Sequence, residues 1–227
     1  MEWLTGHILY VVLAAATVVS AVWLVYMRDR LNMHAAVAVV LAVVHTAAGV
    51  FCVKAFAFLE SGGGNAGGMS LYGAIFFLPV LYYFGAKLTK RPVSAVFDLF
   101  TICIMVTLLL SRVNCIFSGC CIGKMLPGSE SLRWPTREME MVFYVVMIPF
   151  LIRRIRRNTL PGSAFPIYMV SYGLFRFVVE FLRESEYVAG IFHISHLWSV
   201  IALAAGVSIW SEMVNRQKKK AKKSLRR

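Results

Sequence analysis

Apolar runs of bilayer-crossing length recur along the whole chain and leave room for little else. Seven can be drawn, over about 5–27, 34–58, 71–88, 93–111, 138–152, 164–182 and 196–213. A helix rises about 1.5 Å per residue, so a hydrocarbon layer of about 30 Å needs roughly 20 apolar residues. Most of the runs reach that length. The fifth is short and carries Pro149, and its limits are open. Hydrophobic residues make up 59% of the chain and the mean hydropathy is +0.70. A soluble domain averages about 45–50% apolar, and here the excess lies in the runs. The fold expected is all-α, a polytopic membrane protein with about seven transmembrane helices and neither a sequence repeat nor a soluble domain.

The net charge of +13 would suit a nucleic-acid partner if the basic residues formed one surface. They do not. Arg28 and Arg30, then Lys87, Lys90 and Arg91, then Arg153, Arg154, Arg156 and Arg157, then the tail from Arg216 to Arg227 hold 17 of the 24 Lys and Arg. These clusters follow alternate apolar runs, as the positive-inside rule requires. No nucleic acid is expected. The N-terminus is placed outside and the C-terminus inside, with a single transmembrane domain over 1–213 and a basic cytoplasmic tail over 214–227 that anchors the topology near anionic lipid. The first run lacks a basic leader and reads as a retained helix, not a cleaved signal peptide.

That topology gathers the chemistry at one face. Arg112-Val-Asn-Cys-Ile-Phe-Ser-Gly-Cys-Cys-Ile-Gly-Lys124 packs an arginine, three of the five cysteines and two glycines into thirteen residues. It falls outside, in a polar loop of about 112–137 where irregular backbone is expected. The glycine-rich loop from Ser61 to Ser70 and the segment from Arg183 to His196 fall on the same side. In the sixth run Tyr172, Arg176 and Glu180 are spaced by four and share a helix face. An arginine near the middle of a span costs about 2.5–3.5 kcal/mol on insertion scales. The plain reading is an Arg176–Glu180 pair joining helices. The functional reading is an anion site, with Arg112 converging on the same cavity, because two guanidiniums suit a phosphate.

Cys115, Cys120 and Cys121 form C-x4-C-C with Gly119 and Gly123. Three readings stay open: a structural disulfide, a reactive thiol favoured by the charges of Arg112 and Lys124, and a metal site completed by His193 and His196. The spacing is not a usual zinc pattern, and neither metal nor cofactor is expected. Gly67-Gly68-Met69-Ser70-Leu71-Tyr72-Gly73 allows a loop to approach a headgroup, although Tyr72 reads equally as an interfacial belt residue. His7, His34 and His45 read as packing or edge residues, Cys52 and Cys103 as inert core thiols, and Lys54 as a snorkelling cation.

Three stretches together resemble one family. Gly67-Gly68-Met69-Ser70-Leu71-Tyr72-Gly73, Arg112-x2-Cys115-x3-Gly119-Cys120-Cys121-x-Gly123 and Tyr172-Gly173-x2-Arg176-x3-Glu180-Phe181-x-Arg183 are similar, in order and spacing, to the prolipoprotein diacylglyceryl transferases. The resemblance covers roughly 1–213 and marks a divergent, cysteine-rich branch. It implies a multi-pass enzyme of the bacterial plasma membrane with its site facing the outer leaflet. It also implies the reaction: a diacylglyceryl group moves from phosphatidylglycerol to a lipobox cysteine thiol of a secreted precursor. By the resemblance Arg176 and Glu180 are catalytic and Tyr72, Cys115 and Cys120 are the candidates for proton and thiol handling. Arg112, Gly68, Gly123, Tyr172 and Arg183 bind substrate. The family carries a histidine at the position of Tyr72, an asparagine at Cys115 and an acidic residue at Cys120. The alternatives are a thiol–disulfide oxidoreductase of the outer face and a non-enzymatic lipid-binding protein on the same fold.

Overall fold

The computed structural model describes residues 2–64, 69–129, 131–184 and 191–224. Among them are eight α-helices, a 3-10 turn at Arg28–Leu31 and two isolated bridges. The helices are α1 (Glu2–Tyr26), α2 (Ala35–Glu60), α3 (Tyr72–Phe76), α4 (Leu78–Leu88), α5 (Val93–Ser118), α6 (Thr136–Arg157), α7 (Ala164–Glu180) and α8 (Ile194–Ser224). Their order follows the seven apolar runs, with three differences. The third run is broken at Phe77, because Pro79 enters the first turn of α4 and cannot donate to the ladder of α3. Pro149 does not shorten the fifth run; α6 passes through it for 22 residues, as intramembrane helices tolerate when neighbours satisfy the freed carbonyl. The fourth run does not stop at residue 111. α5 continues to Ser118, so Arg112 and Cys115 stand on a helix and only the residues after Gly119 are loop.

Stretches His7–Tyr26, Ala35–Glu60, Val93–Ser118 and Ile194–Lys219 are long and apolar enough to cross a membrane. α5 is the central pillar: 61% of its apolar window is buried, against 17–28% for the other three. It packs against α1, α4, α6 and α7, while α7 and α8 form the closest helix pair. Val18, Val22, Val40, Phe51, Phe84, Val146 and Leu174 face outward. Apolar side chains spread over every outer wall suit hydrocarbon and would be a liability in water. α8 runs unbroken past residue 213 into the basic tail.

Lipid supplies no hydrophobic drive between helices, so small residues and polar pairs hold them. Gly173 of α7 and Gly206 of α8 do the first. A Cβ at Gly173 would lie 2.8 Å from the Ser199 carbonyl, and one at Gly206 2.9 Å from Met169. Trp23 Nε1 donates to the Leu99 carbonyl at 3.0 Å, Thr17 to Thr46 at 2.8 Å, and Tyr82 bonds His45 at 2.8 Å. The buried Asp98 in the first turns of α5 accepts the N–H of Gly162 at 2.7 Å and of Ala164 at 3.0 Å. Its carboxylate thereby caps α7, whose own Ser163 makes no side-chain cap. The bond fixes the depth of α7 against α5, and so the height of Arg176 against Arg112.

Replacing Asp98 by Ala strands two buried N–H groups. It is expected to cost about 2–4 kcal/mol, with Asn recovering about half through its one acceptor oxygen. Thermal unfolding in detergent measures both, and an Ala variant as stable as the parent would remove Asp98 as the anchor of α7.

Candidate functional site

The site is built where α5 and α7 end and α6 begins. Arg112 projects from the last turns of α5, Glu140 from the second turn of α6, and Arg176 and Glu180 from the end of α7. Glu140 is the residue that sequence reasoning missed. Its Oε1 accepts from Arg176 Nη1 at 2.6 Å, and its Oε2 pairs with Arg112 Nη2 at 2.8 Å. Arg176 Nη2 turns the other way, to Glu180 Oε2 at 2.7 Å. Glu180 also meets Arg183 at 3.8 Å and His193 Nδ1 at 3.4 Å. A line of alternating charge thus runs Arg112–Glu140–Arg176–Glu180–Arg183, and every member but Arg183 is at most 4% exposed.

The i, i+4 spacing of Arg176 and Glu180 is as legible in space as in sequence. Glu140 carried only a weak signal, an acid in the first turns of an otherwise apolar run, because its partners lie 28 and 36 residues away. Three guanidiniums face two carboxylates, an excess of one positive charge. The Nε–H of Arg112, Arg176 and Arg183 is buried and without a hydrogen-bond partner among the described residues. Buried donors of that kind are satisfied by something else in the working protein.

The three arginines also line a cavity of about 820 Å³, the size of a small-molecule site. Its lining combines apolar residues, among them Leu9, Leu13, Val50, Leu78, Ile104 and Leu108, with Arg112, Tyr172, Arg176, Glu180, Arg183 and the three cysteines of the loop. Tyr172 is fully buried and stacks on Tyr144 beneath the arginines. Tyr72 is also in the wall. Its hydroxyl donates to the Ser195 carbonyl at 2.9 Å and bonds Ser199 Oγ at 2.7 Å. Those bonds tie α3 to α8. Gly73 lets α3 begin against α2, since a Cβ there would collide with the Cys52 carbonyl. Gly67 and Gly68 lie outside the described residues.

The loop after α5 is stapled to the end of α7. Lys124 N–H donates to the Leu182 carbonyl at 2.7 Å, Glu184 N–H to Ile122 at 3.1 Å, and Gly123 bridges Arg183. Arg133 pairs with Glu184 and donates to the Gly123 carbonyl. Gly123 is required here because a Cβ would run into the Trp134 carbonyl. Arg137 takes the Cys115 carbonyl at 3.2 Å, and Thr136 takes that of Cys121 at 3.1 Å. Gly119 and Cys121 are left-handed, with φ of 68° and 59°, and they curl the chain back on itself. All five cysteines are free thiols. Cys52 and Cys103 are buried away from the cavity. The other three bring their Sγ atoms within 4.8 Å of one another, and all three line the cavity. The hydrogen bond with Cys115 pulls the Cys121 thiol below the ordinary range, helped by the charges of Arg183 and Arg112. His193 and His196 are not part of this cluster: His193 sits on Glu180, and its backbone N–H donates to His196 Nδ1 at 3.0 Å.

A family model described as prolipoprotein diacylglyceryl transferase matches residues 3–211. Among curated proteins, the chain is 28% identical over 130 residues to a phosphatidylglycerol–prolipoprotein diacylglyceryl transferase of Clostridium tetani, covering 51% of this chain and 52% of that one. It is 28% identical over 170 residues to the protein of that name from Polaromonas naphthalenivorans, covering 66% and 62%. A third, from Mannheimia succiniciproducens, is 30% identical over 136 residues, covering 56% and 51%. The chain spans about half to three-fifths of the length of these relatives.

Removing one partner from a buried ion pair costs about 3–5 kcal/mol. Glu140→Ala leaves two guanidiniums side by side and is expected to fall in that range. Glu138→Ala, two residues earlier and exposed, should cost under about 1 kcal/mol. Detergent melting curves of the two variants compare them directly; equal losses would mean that Glu140 does not bind the three helices together.

Proposed function

The chain belongs to the prolipoprotein diacylglyceryl transferase family, and on that premise we propose that it moves a diacylglyceryl group from phosphatidylglycerol to the cysteine thiol of a lipobox in a secreted precursor. One observation carries the reading: three arginines opposed by two carboxylates, one positive charge in excess, line a cavity whose other walls are largely apolar. The apolar walls receive the acyl chains. The arginines receive a phosphodiester carrying one negative charge.

The chemistry follows from the charge count. The acceptor sulfur forms a bond to the terminal glyceryl carbon, and the bond from that carbon to the phosphate oxygen breaks. Glycerol phosphate leaves with the electron pair and a second negative charge. Arg112 and Arg176 bind the phosphate and stabilise the charge that grows on it, an interaction stronger in the transition state than in the ground state. Glu180 holds the Arg176 fork in place. Arg183 stands at the mouth, and Tyr172 forms the floor. Gly123 and Gly68 are assigned to substrate by family position alone, and Gly123 closes its loop against Trp134. Tyr72 shapes the wall where the family histidine would stand. Cys115 and Cys120 serve the thiol end of the reaction.

The same reading places seven spans in the bacterial plasma membrane, with the N-terminus outside, residues 214–227 in the cytoplasm and the cavity open to the outer leaflet. Two contacts support it. Arg30 reaches Asn158 and the Arg156 carbonyl at 3.4 Å, and Arg154 lies over the Trp210 ring at 5.5 Å. The basic clusters therefore gather at one end of the bundle, opposite the arginines of the cavity.

Arg176→Lys keeps the charge but loses the planar fork. It is expected to lower transfer from phosphatidylglycerol to a lipobox peptide by about 100-fold or more, the scale of a lost transition-state donor. The assay is mass analysis of the peptide for an added diacylglyceryl group. Transfer at the parental rate would take the central role from Arg176; tight lipid binding with an unmodified peptide in the parent protein would make the fold a lipid binder instead.

A further inference from the structure

The thiol cluster is more than a reactive cysteine. Cys115 stands on the last turn of α5, while Cys120 and Cys121 stand on the left-handed reversal that follows it. That reversal is held at both ends, by Thr136 on the Cys121 carbonyl and by Lys124 on Leu182. The backbone alone would not need three thiols at this point, yet all three Sγ atoms fall within 4.8 Å of one another. A tetrahedral zinc ion holds thiolates at about 2.3 Å, which sets them about 3.8 Å apart. Cys120 is the exposed member, and a side-chain rotation moves its sulfur on that scale.

We infer that Cys115, Cys120 and Cys121 form a three-thiolate site for a zinc-class divalent ion, whose fourth position, open to the cavity, binds the acceptor cysteine as a thiolate. Soft sulfur ligands select such an ion, and three protein ligands with one open position mark a reactive site rather than a structural one. Three thiolates and a divalent cation carry one net negative charge, and positive groups adjoin them. Arg112 Nη1 lies 3.7 Å from Cys115 Sγ, and Ser118 Oγ lies 3.4 Å from Cys120 Sγ, the outer contacts that steady metal ligands. Arg112 touches both the thiol cluster and the charge relay, so a phosphate held by the relay lies next to the ion's open position.

The inference rests on the transfer reaction proposed above and supplies the step that reaction lacks. A thiol must lose its proton before it attacks carbon. The group at the family histidine's position is Tyr72, whose hydroxyl is engaged with Ser195 and Ser199. Binding of the acceptor thiol to the ion releases its proton to water. The bound sulfur then gives a lone pair to the glyceryl carbon while the carbon–oxygen bond breaks toward glycerol phosphate. The neutral thioether is a poor ligand and leaves, and the open position is restored.

The test uses the full chain, purified with its thiols intact and without chelator. Elemental analysis is expected to give one zinc per chain. Cys115→Ser, Cys120→Ser and Cys121→Ser should each retain roughly tenfold less zinc or worse after dialysis, and Cys103→Ala should match the parent. Cobalt loaded in place of zinc should show the absorption bands of a tetrahedral thiolate site. A lipobox peptide should shift those bands, whereas its Cys→Ser counterpart should not. Absence of cobalt bands, a disulfide among the three thiols with no metal retained, or bands indifferent to the cysteine peptide each overturns the inference. Peptide modification that continues at the same rate after metal removal also overturns it but leaves the transferase reading intact. A metal site that responds to peptide without any lipid transfer overturns the transferase reading, and with it the catalytic part of this inference.

Discussion

Glu140 is the interaction on which the rest of the structure depends. It accepts from guanidiniums on two other helices within an apolar bundle, where a charge without a partner costs several kcal/mol. A carboxylate in that position does not merely join α5, α6 and α7. It also holds Arg112 and Arg176 in place, because each gives one Nη to Glu140 while both residues line the cavity. The relay thus resolves two opposing demands. A phosphate site needs positive charge in excess, and an intramembrane bundle needs charge nearly cancelled; three guanidiniums against two carboxylates leave a single charge over.

The rest of the fold keeps that relay in register. Asp98 sets the depth of α7 from one end, and the close approach at Gly173 and Gly206 sets its distance from α8. The loop bonds from Lys124 and Glu184 fasten the cysteine stretch to the end of α7. Side chains that touch no substrate therefore bear on the site. A shift of one helical turn, about 5.4 Å, would part Arg176 from Glu140 and leave both buried and unpaired.

Much of this was legible in the sequence, and what was not shares one cause. The apolar runs and the Arg176–Glu180 pair are local patterns; the structure keeps the pair, and its helices follow the runs apart from the break at Phe77 and the longer α5. Contacts between distant segments are not local. Nothing near Glu140 announces two arginines, nothing near Asp98 announces the start of α7, and the hydroxyl of Tyr72 gives no sign that α8 will occupy it. The end of α5 was misplaced for a related reason. Arg112 and Asn114 look like the start of a polar loop, but the relay and the cavity wall satisfy polar groups that would otherwise end a buried helix, and the helix runs on to Ser118. The histidines at 193 and 196 looked like partners for the cysteines; Glu180 holds His193 instead.

The three departures from the family pattern are best understood together. By the resemblance a histidine would stand at Tyr72, an acid at Cys120 and an amide at Cys115, so against that pattern the chain lacks one imidazole and two polar side chains near Arg112. Separately, each is a loss. Yet the same two positions gain sulfur, and the fold brings both sulfurs to a third at Cys121. Sulfur is a weak hydrogen-bond partner for a guanidinium and a poor substitute for a carboxylate, so the exchange does not conserve the old contacts. Under the proposed reaction it serves the task of delivering a deprotonated thiol next to a bound phosphate, provided that the three sulfurs act as a set. Because ligation needs all three at once, the chemistry of this corner is expected to be lost with any one of them, whereas hydrogen bonding spread over the same residues would fail by degrees.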